Sequence, residues 1–167
     1  MYRRKKEVKT AVFLGVGGVG KTTYIYRVLG VGKTPRVTRR PGLYQLSLPD
    51  RDLYLIDTPG QYAVEVAHKY YEAIKTYDVR LDLIVYVYSL VDPPTLEALW
   101  EIENWVRKYP APRKIVIGNK RDLAEEIGVF TEGEDSAKSL GASKLYYTSA
   151  LKDDPDLLLR HVLENLD

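Results

Sequence analysis

Residues 15–22 read Gly15-Val16-Gly17-Gly18-Val19-Gly20-Lys21-Thr22, a fit to the pattern G-x-x-x-x-G-K-[ST]. A β-rich run at 8–14 precedes the loop, and a helical pattern at 22–29 follows it. That strand-loop-helix setting is the one the pattern requires. Glycines let successive main-chain N–H groups turn toward one anion with no Cβ in the way. The helix N-terminus adds positive potential at the same point. Lys21 reaches the outer phosphates of a polyphosphate, and the Thr22 hydroxyl is a ligand for Mg²⁺.

On either side of the loop the periodicity alternates. Further β-rich runs fall at 43–48, 53–56, 83–88, 114–117 and 144–147. Helical spacing occupies 62–76, 95–108 and 155–166, with apolar residues such as Leu96, Leu99, Ile102 and Val106 on one face. Strands alternating with helices imply a parallel sheet covered by helices on both faces. The exception is 43–56, where two strands flank Pro49-Asp50-Arg51-Asp52, a turn cluster that predicts a hairpin. Six strands are therefore expected, one of them an antiparallel edge. Pro93-Pro94 opens a helix with Asp92 in its cap region, and Thr131-Glu132-Gly133-Glu134 has the form of a capping box before a short helix.

The chain has 167 residues, 45% hydrophobic and 29% charged, which excludes wholesale disorder and suits one domain with a real core. Lys and Arg number 25 against 23 Asp and Glu, so a net charge of +2 does not make nucleic acid an expected partner. The absence of cysteine excludes disulfides, thiolate metal sites, cysteine nucleophiles and prenylation, and fits a cytoplasmic location. Tyr2 excludes N-myristoylation, the apolar run 81–91 is too short to span a bilayer, and the basic start is no signal peptide. The expected organisation is a basic leader at 1–9 and one domain at 10–167, with no transmembrane segment or lipid anchor. Peripheral membrane contact is then left to the leader Tyr2-Arg3-Arg4-Lys5-Lys6, or to an adaptor. Among the 14 tyrosines, Tyr70, Tyr71, Tyr86 and Tyr88 sit at packing positions, and His68 and His161 show no metal-ligand spacing.

Three more motifs follow apolar strands in order. Asp57-Thr58-Pro59-Gly60-Gln61 puts a carboxylate where it serves a Mg²⁺ shell, and a glycine whose N–H can approach a terminal phosphate. Asn119-Lys120-Arg121-Asp122 offers a carboxylate to the two donors of a guanine edge, an amide for a ring nitrogen or the loops, and a lysine stem for the ring face. Thr148-Ser149-Ala150 adds small side chains and a free main-chain N–H beside the base.

With GVGGVGKT, DTPGQ, NKRD and TSA in this order, the chain resembles the small GTPases of the Ras superfamily from Lys9 to Leu166. The resemblance implies a six-stranded P-loop G domain with GTP or GDP and Mg²⁺ as ligands. It implies that Gly15, Gly17, Gly18, Val19, Gly20, Lys21, Thr22 and Thr23 grip the phosphates with Gly60, and that Thr22 and Asp57 serve the metal. Gln61 would orient the attacking water. Asn119, Lys120 and Asp122 would read guanine, with Ser149, Ala150 and Leu151 behind them. A switch threonine is also implied; Thr38 is favoured over Thr34 by its spacing from Thr22 and Asp57. Arg36, Arg39 and Arg40 read first as the cations of a solvated loop; if Thr38 closes on Mg²⁺, Arg36, two residues before it, is placed to reach the γ-phosphate in cis, and Arg39 and Arg40 to face a partner.

The expected activity is slow GTP hydrolysis in a molecular switch, with residues 31–42 and 60–67 ordered by GTP and read by protein effectors and an activating protein. Two alternatives stand beside it: a guanine-nucleotide module with little turnover, and a small P-loop kinase. Short loops and the NKRD and TSA motifs weigh against the kinase.

Overall fold

The computed structural model describes residues 6–30, 41–107 and 112–167. Strand β1 (Glu7–Leu14) leads through the glycine loop into helix α1 (Lys21–Leu29). Strands β2 (Gly42–Ser47) and β3 (Arg51–Asp57) form the hairpin, and helix α2 (Ala63–Tyr77) follows. Then come β4 (Leu83–Ser89), α3 (Pro94–Val106), β5 (Arg113–Asn119), α4 (Arg121–Ile127), α5 (Glu134–Ser139), β6 (Lys144–Tyr147) and α6 (Pro155–Leu163).

The sheet order is β2-β3-β1-β4-β5-β6, with β2 antiparallel to β3 and every other pairing parallel. Six strands with one antiparallel edge is the expected architecture. Helix α2 packs on α3, and α1 on α6, giving the two helical layers. The central strand β4 is buried along its whole length, whereas the edge strand β2 alternates in exposure, as a strand covered on one face must. Register aligns the ends that matter: Phe13 lies opposite Asp57, Ser89 opposite Asn119, and Gly118 opposite Tyr147. After β1 the chain builds outward on one side through β3, then returns to the other side with β4. That reversal opens the crevice where α/β sheets hold their ligands.

Several local expectations are corrected. Arg51 and Asp52 belong to β3, not to the turn, because they pair with Glu7 and Val8 of β1. Strand β1 likewise begins at Glu7, inside the stretch read as leader, and Lys6 pairs with Asp52 at 3.6 Å. Periodicity did not pick out α4, which buries Ala124 alone and so carries no apolar stripe. The capping box at Thr131 does not form. Gly133 takes the cap position of α5, because Thr131 is held by its N–H to the Leu90 carbonyl (2.9 Å) and by the Tyr88 hydroxyl on its own carbonyl (2.8 Å). Helix α6 ends at Leu163, where Asn165 turns back to donate to the His161 carbonyl (2.7 Å) and the Tyr146 hydroxyl (2.9 Å). Among the described residues no helix is long and apolar enough to cross a membrane.

Tyr70, Tyr86 and Tyr88 are core residues, as their spacing predicts. Tyr86 donates to Glu103, which is itself buried and accepts from the Lys114 ammonium at 2.5 Å. Burial first, and then the hydrogen bond to Glu103, push the Tyr86 hydroxyl far above its ordinary pKa. Removing one partner of a buried ion pair strands the other charge at a cost of about 3–5 kcal/mol, whereas replacing both with apolar groups is close to neutral. Glu103→Ala is therefore expected to lower unfolding stability by about 3–5 kcal/mol, and the triple variant Tyr86→Phe/Glu103→Leu/Lys114→Met, which leaves no member of the network unpaired, to recover most of it. Urea titration of the two proteins checks this.

Candidate functional site

The glycine loop wraps a cavity of about 240 Å³ lined by residues 16–23 with Asp57, Pro59 and Gly60. Two glycines are required by contact. A Cβ on Gly15 would stand 2.3 Å from the Val87 carbonyl oxygen. Gly20 has φ +96, and a Cβ there would meet Asn119 Nδ2 at 2.3 Å. Gly20 is also the cap of α1 and offers no side-chain acceptor, so the first N–H groups of the helix stay open to an anion.

Lys21 is buried, and its ammonium donates to the carbonyls of Gly15 and of Thr58, the latter at 2.8 Å. Burial lowers its pKa from 10.5 to about 8, against the opposing pull of the Asp57 carboxylate. A bound polyphosphate would supply the negative charge that this buried cation lacks. Thr58 holds the far side by donating from its hydroxyl to the Phe13 carbonyl at 2.6 Å.

Thr22 donates its hydroxyl to Asp57 Oδ2 at 2.5 Å, and Asp57 Oδ1 is buried with no hydrogen-bond partner. An orphaned carboxylate oxygen beside a hydroxyl whose lone pairs remain free fits a hard divalent cation. Mg²⁺ commonly takes one or two protein oxygens and completes its shell with phosphate and water. That suits this pair, since no group of three or more His, Cys, Asp or Glu able to hold a metal occurs among the described residues.

A second cavity of about 470 Å³ adjoins the first, sharing Gly18, Gly20 and Thr23 with it. Its other walls are Asn119, Lys120, Asp122, Leu123, Ala150 and Leu151. Lys120 adopts φ +69, which turns the chain sharply from β5 into α4. Asn119 bonds to two loops with its side-chain amide. Its Nδ2 donates to the Val19 carbonyl (2.9 Å), and its Oδ1 accepts from the Thr148 hydroxyl (3.0 Å) and the Ala150 N–H (2.9 Å). The structure shows it joining loops, and it also stands in the cavity wall with its second amide N–H uncommitted, so both roles open to it in the sequence remain compatible with its place. Asp122 accepts from the buried Ser149 hydroxyl at 2.9 Å and keeps further lone pairs for a ligand.

Thus the loop residues, Asp57, Gly60, Asn119, Lys120, Asp122, Ala150 and Leu151 come together around two joined cavities, with Gly15 and Ser149 just behind the walls. Gln61 lines neither cavity; it is exposed, with its Cα 3.4 Å from where a Gly17 Cβ would stand. Thr34, Thr38, Arg36, Arg39 and Arg40 lie outside the described residues. Leu123 carries no motif, since a wall residue needs only bulk, and Pro59 stands inside DTPGQ with no role of its own assigned there. Arg121 and Asp153, which buckle the base side from behind, were missed because their pairing is purely tertiary.

The chain is similar to known GTP-binding proteins in sequence and in fold. The family model described as 50S ribosome-binding GTPase matches residues 10–120. GTPase Era of Deinococcus radiodurans is 33% identical over 67% of this chain, which spans 38% of the length of Era. A probable GTP-binding protein, EngB of Chlorobium phaeobacteroides, is 24% identical over 95% of this chain and 88% of its own. The solved FeoB G-domain from Methanococcus jannaschii superposes with a TM-score of 0.70 over 96% of this chain and 98% of that one, at 17% identity, which is a likeness of fold. With most of its length under that family model and a G-domain fold around the loop, the chain belongs to the P-loop GTPases that the 50S ribosome-binding GTPase model describes, within the wider Ras-like superfamily.

Proposed function

We propose that this chain binds GTP and GDP with Mg²⁺, hydrolyses GTP slowly, and works as a nucleotide-dependent switch. The observation that carries the reading is the pair of joined cavities, one walled by the glycine loop with Lys21, Thr22 and Asp57, the other by Asn119, Lys120 and Asp122. A nucleotide has the matching division into polyphosphate and base.

In this reading, main-chain N–H groups of Gly15–Thr23 cradle the phosphates and Lys21 offers its ammonium to the outer ones. Thr22 and Asp57 hold Mg²⁺, with Thr38 as a further ligand; the ion's chemistry is to neutralise charge on the phosphates. Gly60 donates its N–H to the terminal phosphate. Gln61 moves in from the rim to orient a water on the γ-phosphorus. As the water's oxygen bonds to phosphorus, the bridging bond to GDP breaks and inorganic phosphate leaves. Asp122 accepts from the guanine ring N–H and exocyclic amine, Lys120 covers the ring face, and Ser149, Ala150 and Leu151 back the base. Protein effectors, and an activating protein that speeds hydrolysis, are the partners that read such a switch, in the cytoplasm. The description of the matching family model adds one candidate, the 50S ribosomal subunit.

Lys21→Ala should weaken GDP binding by about a hundredfold or more, near 2.7 kcal/mol. The wild type also carries a pH signature. Lys21 is protonated below pH 8, so affinity is full there and falls as pH rises through 8, with proton uptake on binding. Calorimetry across pH 6.5–9.5 should find that dependence in wild type and lose it in Lys21→Ala; equal affinity of the two proteins rules the loop assignment out.

Asp122→Asn replaces an acceptor with a group that also donates, and xanthine carries a carbonyl where guanine carries its amine. The variant should lose GTP and gain XTP, measured by competition against a fluorescent nucleotide.

Gln61→Leu should hold GTP as wild type does and hydrolyse it at least tenfold more slowly in single turnover, about 1.4 kcal/mol in the barrier. If wild type itself shows no single turnover, the chain is a nucleotide-binding module only.

A further inference from the structure

Behind the base-side cavity stands a charged pair that lines neither chamber. Asp153 lies in the turn between β6 and α6, and its carboxylate is 9% exposed. One oxygen, Oδ2, accepts the Ser149 main-chain N–H at 2.9 Å; the other, Oδ1, accepts Nη2 of Arg121. The second arm of that guanidinium, Nη1, donates to the Tyr147 carbonyl at 2.9 Å, and the Arg121 main-chain N–H donates to the Thr148 carbonyl at 2.9 Å. Arg121 also approaches Glu125 at 3.9 Å. From the opposite side, Arg27 of α1 donates to the Asp153 carbonyl at 2.6 Å. Ser149, whose main chain is held in this way, is the residue whose hydroxyl donates to Asp122.

The connectivity is directional. Asp122 touches Ser149, Ser149 is held by Asp153, and Asp153 is held by Arg121, the neighbour of Asp122 on α4. The loop is thereby closed upon itself, and Arg27 ties it to the helix that begins at Lys21. An ion pair whose carboxylate is buried and whose guanidinium is 35% exposed returns little net stability, because desolvation on one side and screening on the other offset the attraction. What a two-armed guanidinium does supply is fixed geometry, since its planar fork meets two acceptors in one orientation.

We infer that Arg121 and Asp153 are positioning residues that hold Ser149, and through it the Asp122 carboxylate, in the orientation that discriminates the substituent at C2 of a purine base. The inference rests on the proposed guanine reading of that cavity. Guanine offers Asp122 a ring N–H and the C2 amine, while hypoxanthine offers the ring N–H alone. A carboxylate released from its orientation loses two bonds to guanine and one to hypoxanthine, so discrimination between the bases shrinks.

The test is the dissociation constant for GDP, IDP and ADP, measured on wild type, Arg121→Ala, Arg121→Lys, Asp153→Asn and the Arg121→Ala/Asp153→Asn pair. Wild type is expected to prefer GDP to IDP, and the IDP-to-GDP ratio of dissociation constants to fall threefold or more in each single variant. The double variant should fall no further than the larger single one, because the two residues act as one unit. A residue that merely stabilises the fold weakens both nucleotides in parallel and leaves the ratio at its wild-type value; that result overturns the inference. Arg121→Lys keeps the charge but not the fork, so it provides the same reading of the ratio if the alanine variant does not fold. Wild type binding ADP as tightly as GDP would overturn the guanine reading and this inference with it. A wild type that prefers GDP, with unchanged ratios in the variants, would overturn this inference alone.

Discussion

The Asn119 side-chain amide is the constraint on which the site depends. It ends β5 in the middle of the sheet, yet it reaches the glycine loop after β1 through Val19 and the loop after β6 through Thr148 and Ala150. Loops leaving neighbouring parallel strands have no ladder to hold them together, since main-chain pairing stops where the strands stop. One buried amide with a donor and a two-lone-pair acceptor replaces that ladder. A Cβ on Gly20 would strike this amide, so the glycine and the asparagine are two halves of one contact. The phosphate and base chambers keep a fixed relation because this residue stands between them.

The phosphate side is organised by unbalanced charge. Lys21 is buried with two carbonyls, and burial moves its pKa down toward 8 despite the carboxylate of Asp57. Asp57 in turn leaves one buried oxygen without a partner. A protein shaped only for stability would satisfy both groups or remove them. Left as they are, they lower the cost of admitting an anion and a cation together, which is the composition of a metal-bound polyphosphate.

Elsewhere most buried polar groups are satisfied, with Arg27 Nε and Asp52 Oδ1 the exceptions beside Asp57 among the described residues. Tyr86, Glu103 and Lys114 satisfy one another between α3 and the central strands, Tyr24 donates to the Leu158 carbonyl at 2.6 Å across α1 and α6, and Ser89 is capped by Thr95. Tyr24, Tyr86 and Tyr88 thus serve as apolar bodies with one polar tip, each tip finding an acceptor. What sets Asp57 apart from those exceptions is that its residue lines a cavity next to the buried Lys21 ammonium.

By itself the sequence determined the alternating periods of a helix-covered sheet, the hairpin at its edge, and the positions of the loop, Asp57 and Asn119 at strand ends, with Asp122 three residues beyond. Those are local properties, written in spacing and in the conformational freedom of glycine. It misplaced what depends on partners. Arg51 and Asp52 read as turn residues but are strand residues because β1 is there to pair with them. Thr131 has the chemistry of a cap but is held elsewhere by Leu90 and Tyr88. Helix α4 buries a single alanine and leaves no stripe to read. Only the tertiary structure decided that Asn119 ties loops, that Gln61 stands at the rim, and that Arg121 pairs with Asp153, 32 residues away. A hydrogen bond between groups so far apart in the chain has no period and no motif, because its geometry exists only after the sheet has brought the strand ends together.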